Sequence, residues 1–319
     1  MKNSLNWSEK KVLVTGGNGF LGSHVVNELK NLNVKDVFIP ASKDYDLRNK
    51  TDCKKVVKDI DVVFHLASTS GGIMFLKEKP GEAFYDNIMM GVNLIHEAKE
   101  ANVEKLITTG AVSSYPKLAP IPFNEKNIWD GYPDETNASY GMAKKMLLVQ
   151  SQAYRQQFGF NSIVLFPTNL YGPKDHFEPM SATVIPALIN KISSAKKQND
   201  ESVSIWGDGT PTRDFLYVQD AVRGLMLAAE KYDEDLPINL GSDREIAIKE
   251  LVYLISEIID FKGQIKWDKS KPNGQPRRCV SNQRAKEEIG FEAPTKLKDG
   301  LRKTIKWFIE NKEKNIIKN

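Results

Sequence analysis

Two cysteines in 319 residues, Cys53 and Cys279, are too few and too isolated for a disulfide framework or a cysteine-based metal site. Such sparse use points to a reducing compartment. Long apolar runs are missing as well: nothing approaches the roughly 20 residues of a membrane-spanning helix, and the polar start, Met1 to Lys10, has no signal-peptide pattern. There is no dense basic block before the last few residues. With 45 Lys and Arg against 41 Asp and Glu the formal charge is +4, which argues against nucleic acid or a membrane surface as a partner. No set of His, Asp and Glu has metal-ligand spacing, and neither a nucleophile elbow nor an internal repeat occurs. The 40% apolar and 27% charged residues that remain describe an ordinary globular chain, expected to be soluble and cytoplasmic.

What is present begins with Lys11-Val-Leu-Val-Thr15, a β-branched run followed at once by a glycine cluster and then by the helical spacing of Leu21, Val25, Val26 and Leu29. This predicts strand, turn, helix. Further strands are predicted at 37–39, 62–66, 106–109 and 162–166, with helices at 52–58, 82–101 and 139–158 between them. Strands alternating with helices imply parallel crossovers, and the fold class is therefore α/β, a doubly wound parallel Rossmann sheet. After about Gly172 the rhythm breaks into Pro- and Gly-punctuated segments such as Tyr171-Gly-Pro173, Gly207-Asp-Gly209 and Lys271-Pro-Asn-Gly274. We expect a dinucleotide-binding domain over 1–171, with a return segment near 215–241, and a smaller substrate lobe over 172–319. The stretch 193–202 reads as a solvated surface segment and 311–319 as a frayed end.

Gly16-Gly-Asn-Gly19-Phe-Leu-Gly22 spaces three glycines between a predicted strand and a predicted helix. A diphosphate needs such a turn, because backbone N–H groups must approach it closely and the helix N-terminus supplies partial positive charge. The second strand runs out into Ile39-Pro-Ala-Ser42-Lys43 with no acid before Asp44. An acid there would accept from a ribose 2′-hydroxyl, whereas Ser42 and Lys43 suit a 2′-phosphate, so NADP(H) is favoured over NAD(H). Lys43 also reads as a solvated loop cation. Asp46 and Leu47 stand where the adenine edge could be met.

Tyr140 and Lys144 lie four apart on a predicted helix and so share one face. A phenol of pKa about 10 needs roughly 4–5 kcal/mol from nearby positive charge to act as a base at neutral pH. In the reducing direction the neutral phenol already holds the proton to be given. Asn87 reads as a polar tether, His24, His65 and His96 as structural, and Trp129, Trp267 and Trp307 as packing residues.

Together with Thr69-Ser-Gly-Gly-Ile73, Tyr115-Pro-Lys-Leu118, Pro167-Thr-Asn-Leu-Tyr-Gly-Pro173, Val184-Ile-Pro-Ala-Leu188, Trp206-Gly-Asp-Gly-Thr-Pro-Thr-Arg-Asp-Phe215 and Lys271-Pro-Asn-Gly-Gln-Pro-Arg277, these residues carry a resemblance that runs nearly end to end. The chain resembles the extended short-chain dehydrogenase/reductases (NAD-dependent epimerase/dehydratase family), and within them the GDP-L-fucose synthase branch. The resemblance implies that Tyr140 and Lys144 are the catalytic pair, with Lys144 also on the nicotinamide ribose. It implies a cofactor site of Gly16, Asn18, Gly19, Phe20, Leu21 and Gly22, then Ser42, Lys43, Asp46 and Leu47, then Leu66, Ala67, Pro167, Asn169 and Leu170. It places Lys191, Trp206 and Arg213 on the diphosphate of a nucleotide-sugar, GDP by preference, and implies a homodimer through the helices of 87–101 and 140–158.

Three positions depart from that pattern. Ala111 replaces a Ser or Thr that hydrogen-bonds the reacting oxygen, a loss of about 2.7–4 kcal/mol of transition-state stabilisation. Ser113 stands where the branch has the cysteine base of an epimerisation, and Thr183 where it has the partnering histidine. Neither hydroxyl titrates near neutrality. If the segment is extended, Ser113 points the same way as Ala111 and compensates for it. His176 is the nearby imidazole that could replace the missing acid, and Asn169 could meet substrate hydroxyls. The expected reaction is hydride transfer at C4 of a GDP-linked 4-keto hexose without inversion at C3 or C5. A 4-epimerase that retains NAD and a non-catalytic sugar-nucleotide or redox sensor are the alternatives.

Overall fold

In the computed structural model, residues 5–271 and 273–313 are described. The chain runs β1 (Lys11–Thr15), α1 (Phe20–Asn31), β2 (Asp36–Phe38), α2 (Lys50–Val56), β3 (Val62–His65), α3 (Ile73–Glu78), α4 (Pro80–Glu100), β4 (Lys105–Thr109), α5 (Ala138–Phe158) and β5 (Ser162–Pro167). It continues with β6 (Asn169–Tyr171), α6 (Val184–Gln198), β7 (Ser202–Trp206), β8 (Thr212–Tyr217), α7 (Val218–Lys231), β9 (Ile238–Leu240), β10 (Glu245–Ala247), α8 (Ile248–Ile259), β11 (Gln264–Asp268), β12 (Arg277–Arg278), α9 (Gln283–Ile289) and α10 (Leu297–Glu313).

Six strands form an all-parallel sheet in the order β2-β1-β3-β4-β5-β9. Its strands are apolar on both faces because helices cover both. Val12, Val14, Phe64 and Ile107 face the α1 and α7 side, while Leu13, Val63 and Leu106 face α2, α4 and α5. Successive side chains of a strand alternate between faces, so one run of aliphatics serves two cores. The chain order reverses between β1 and β3. That makes the crevice at their carboxyl ends the switch point where open α/β sheets bind ligands.

A smaller group of strands lies over that carboxyl edge. β8 pairs with β10, β12 and β6, and β7 pairs with β11. Their core is formed with α6, α8 and α10 by Ile189, Ile192, Leu251, Ile255, Leu301 and Phe308. Pairing of β6 with β8 takes the chain directly from the large sheet into this layer.

Predicted strands and helices of the first 170 residues fall within two residues of the observed ones. The 193–202 segment does not follow its expectation: α6 runs on to Gln198 with Ala195 buried, and β7 starts at Ser202. Its lysines 196 and 197 lie in the helix's last turn, where cations favour a C-terminus, so polarity there marks a helix end. Of the expected frayed end, residues 311–313 are helical and 314–319 lie outside the described residues, as does Pro272 of the 271–274 turn. Trp129 is 48% exposed rather than packed inside, whereas Trp267 and Trp307 do pack against the second core.

Candidate active site

The glycine turn comes first because the backbone itself makes it. Gly16 has φ +70, in the left-handed region that favours glycine, and a Cβ there would meet the Ala67 nitrogen at 2.7 Å. A Cβ on Gly22 would lie 2.1 Å from the Gly16 carbonyl oxygen, so α1 starts tight against the end of β1. The N-cap of α1 is Gly19, which offers no side-chain acceptor, and the first-turn N–H groups stay directed at the crevice. A cavity of about 360 Å³ opens there, lined by Asn18, Gly19, Phe20, Ile39, Lys174 and His176 among others. Leu21 is half-buried and packs against the core. These residues fit a dinucleotide's diphosphate.

Beyond β2, Ser42 and Lys43 lie in an exposed turn, open to solvent. Asp46 does not offer a free carboxylate: Arg48 grips it through Nε and Nη2, at 2.9 and 2.8 Å, and holds its pKa below the usual value. Leu47 is buried in the α2 and α4 core. The Asp46 N–H donates to Asp52 Oδ2, its carbonyl accepts from Asn49 and the Leu47 carbonyl accepts from Cys53, so these backbone groups are engaged as well.

Tyr140 and Lys144 occupy the first turns of α5, with Lys144 Nζ 6.0 Å from the centroid of the phenol ring. Lys144 is 1% exposed and no hydrogen-bond acceptor or carboxylate among the described residues meets it. Desolvation lowers it to about 8. A buried ammonium without a partner is costly, and ribose hydroxyls are the acceptors that a bound cofactor would bring to it. Burial raises the Tyr140 phenol, and a hydrogen bond from Ser68 draws it back down. His65, beneath them, is bonded to Thr15 through Nδ1 and is pushed to about 3 by burial and by Lys144, so it is neutral and structural.

Two loops lie against the start of α5. Ser68 Oγ, after β3, lies 3.4 Å from the Tyr140 hydroxyl and 2.8 Å from Asn87 Oδ1. Asn87 is the expected tether: its Nδ2 donates to the carbonyls of Thr69 and Ala83 and its Oδ1 also accepts from the Thr69 N–H. After β4, residues 112–114 form a 3₁₀ turn in which the Ser114 N–H reaches the Ala111 carbonyl. The segment is therefore not extended, and the period-two alignment of Ser113 with Ala111 does not hold. Ser113 reaches α5 by another route: its carbonyl abuts Gly141, where a Cβ would stand 2.4 Å away, and Ser114 Oγ donates to the Gly141 carbonyl.

At the carboxyl end of β5, Pro167 still pairs with Leu240, and Leu170 packs against the core. Asn169 turns its Nδ2 to the Asp214 carbonyl at 2.8 Å, so its amide ties β6 to β8. Leu66 and Ala67 form the wall that Gly16 touches.

On the smaller layer, Arg213 is 9% exposed and is brought down to about 10, by burial first and by Arg278 second. Arg278 is its register partner on β12, so both guanidiniums rise from one face. Burial lowers Arg278 too, and among the described residues neither has a salt-bridge partner. Arg213 is buried and Arg278 half-buried, each donates to one neutral acceptor (the Thr212 carbonyl and Gln275 Oε1), and two guanidiniums side by side without a carboxylate between them suit a diphosphate. Arg278 was missed from the sequence, where it is one of two adjacent arginines. Only strand register tells it from Arg277, which is paired with Glu245. Trp206 is half exposed, with Lys271 over its ring, and Lys191 on α6 faces Asp268, the register partner of Trp206. Thr183 is the exposed N-cap of α6, and the 180–182 segment before it abuts Gly72. His176 falls elsewhere than expected, on the cavity beside the glycine turn with Lys174.

A parallel sheet whose switch point combines a glycine cradle with an unpaired buried ammonium defines a dinucleotide-binding protein. Residues 12–241 match the NAD dependent epimerase/dehydratase family, and the chain belongs to that family. It is 37% identical over 304 residues to GDP-L-fucose synthase of Sinorhizobium fredii, covering 95% of this chain and 96% of that protein. Among solved structures it is similar to a GDP-L-fucose synthetase from Naegleria fowleri bound to NADP, with 29% identity, a TM-score of 0.88 and 98% of each chain covered. It is also similar to a GDP-mannoheptose C4 reductase from Campylobacter jejuni with NADP bound, with 25% identity, a TM-score of 0.86, and 95% and 99% coverage.

Proposed function

We propose that this protein is an NADP(H)-dependent oxidoreductase that reduces the 4-keto group of a GDP-linked hexose and leaves the configuration at C3 and C5 unchanged. The observation that carries the reading is the Tyr140–Lys144 pair at the switch point, its ammonium buried and unpartnered. NADP(H), when bound, supplies the hydride. Gly16 to Gly22 hold its diphosphate, Lys144 its nicotinamide ribose, and Ser42 and Lys43 its 2′-phosphate. Tyr140 gives its proton to the sugar's 4-oxygen as that oxygen gains charge, and the nearby Lys144 ammonium stabilises the phenolate that remains. Arg213 and Arg278 hold the sugar's diphosphate, with Trp206 and Lys191 at the corner beyond.

Ser113 and Thr183 stand where a base and an acid would be needed to move protons on carbons beside the ketone, and neither hydroxyl titrates near neutrality. Relatives named for GDP-L-fucose synthesis and for GDP-heptose C4 reduction, some bound to NADP, support both the nucleotide and the cofactor. The domain reading follows: 1–171 with the 215–241 return carries the cofactor, and 172–319 carries most of the sugar-nucleotide site. The protein is placed in the cytoplasm, as its sparse cysteines suggest.

It is also read as a homodimer. Tyr85, Met89 and Val92 on α4 and Met142, Met146 and Val149 on α5 are incompletely buried at four- and three-residue spacings, which puts each trio on one face. The Gln150 side chain bonds to the Val92 carbonyl, so the two faces adjoin.

The test presents GDP-, UDP-, CDP- and dTDP-linked 4-keto hexoses with NADPH and follows nicotinamide absorbance. Stoichiometric oxidation with the GDP sugar is expected, and Tyr140→Phe should lower turnover by about 10²–10⁴-fold while NADPH binding is kept. Interconversion of the C4 epimers of a 4-hydroxy GDP-hexose with no net change in nicotinamide would establish the epimerase instead. Deuterium from solvent at C3 or C5 of the product would overturn the claim of unchanged configuration.

A further inference from the structure

The hydroxyl that the sequence pattern leads one to expect at position 111, on the reacting oxygen, is absent, and the catalytic phenol has a hydroxyl partner on the neighbouring loop after β3. Residue 111 is alanine at the mouth of the 3₁₀ turn after β4. Ser68, on the loop after β3, lies 3.4 Å from the Tyr140 hydroxyl. We infer that Ser68 is a catalytic residue, the hydrogen-bond donor to the Tyr140 phenolate. This rests on the reading of Tyr140 as the proton donor.

The surroundings of Ser68 are built for the purpose. Asn87 is 1% exposed, and its amide is held by three backbone bonds: Nδ2 to the carbonyls of Thr69 and Ala83, and Oδ1 from the Thr69 N–H. Its Oδ1 therefore stands still, 2.8 Å from Ser68 Oγ. A serine hydroxyl has one proton. While Tyr140 is neutral, that proton belongs to Asn87, and the Ser68 oxygen is free to accept from the phenol. Once Tyr140 has passed its proton to the sugar oxygen, the phenolate is the stronger acceptor, and the Ser68 O–H turns to it about the Cβ–Oγ bond. Asn87 Oδ1 loses little in the exchange, since the Thr69 N–H, 3.2 Å away, stays on it. Water returns the proton to the phenolate afterwards, and Ser68 itself never ionises.

Hydrogen bonds to a charged oxygen are stronger than those to a neutral one, so Ser68 favours the phenolate over the phenol. The contact couples two elements that the sequence keeps 72 residues apart.

The experiment reads the phenol directly. In protein saturated with NADP+ and carrying tyrosine labelled with ¹³C at Cζ, the Tyr140 signal is assigned by its loss in Tyr140→Phe and titrated with pH. Ser68→Ala should shift its titration upward by about one pH unit. It should also reduce kcat roughly tenfold or more with KM little changed, while NADP+ affinity and the thermal midpoint are kept. Ser68→Thr, which retains the hydroxyl, should titrate as the wild type does. An unchanged Tyr140 titration in Ser68→Ala, with kcat within twofold of wild type, would overturn the inference. So would a Ser68→Thr protein that titrates like Ser68→Ala. If the titration shifts as stated but wild-type protein oxidises NADPH with none of the keto sugars, the proposed reaction fails and the role of Ser68 beside the phenol stands.

Discussion

At Asp175, one carboxylate oxygen accepts the His176 N–H at 2.7 Å and the other is buried with no partner among the described residues, and desolvation pushes the group to about 8. The folded chain thus holds a proton that the unfolded chain releases near the ordinary aspartate value of about 3.9. Between those values the folded state binds more protons, so stability declines as pH rises through the window and is unaffected below it. Asp175→Asn keeps the acceptor and removes the titration. It should raise the thermal midpoint by roughly 2–4 °C at pH 8 and leave it nearly unchanged at pH 4, as calorimetry at the two pH values would show. Lys144 has the opposite sign. Burial lowers it to about 8, the folded state then binds fewer protons than the unfolded one above that pH, and stability rises from pH 8 towards the lysine's ordinary value.

Elements set what single residues cannot. The α1 start depends on Gly22 lying against Gly16, with no room for a Cβ and only backbone to displace. Gly22→Ala should therefore push α1 away from β1 and weaken NADPH binding by at least roughly 100-fold, measured by nicotinamide fluorescence, together with a lower thermal midpoint. On the smaller layer, parallel pairing of β8 with β12 places Arg213 beside Arg278. Arg213→Ala leaves Arg278 in place, and Arg213 makes no hydrogen bond to Tyr140 or Lys144. It should raise KM for the GDP sugar by roughly tenfold or more and change kcat much less, a split that steady-state kinetics resolves.

For the whole molecule, the faces of α4 and α5 are where a second copy would be seated. Val92→Glu combined with Met146→Glu puts charge into the middle of that apolar surface, and light scattering after gel filtration should then report a monomer where the wild type gives a dimer. The same scale shows how much could be read in advance. Strands β1 to β5, helices α1, α2, α4 and α5 and the glycine turn were legible because each is specified locally, by apolar period and by the φ that only glycine adopts freely, whereas the short α3 was not read. Tyr140 and Lys144 were legible for the same reason: four residues on one helix fix their relation. Ser68 and Arg278 were not, since one meets its partner across 72 residues and the other is selected from two arginines by strand register. His176 and Ser113 were misplaced because loop geometry depends on what the loop lies against, and the 3₁₀ turn at 112–114 follows from its docking on α5.

By itself the sequence determined the parallel α/β frame, the cradle for a dinucleotide and the identity of the phenol and ammonium, all short-range consequences of side-chain period and backbone freedom. Tertiary structure alone decided that the ammonium is buried without a partner among the described residues, that Ser68 stands beside the phenol, and that two guanidiniums share one face. Those are relations between segments far apart in the chain, and they exist only once burial and strand register have brought the segments together.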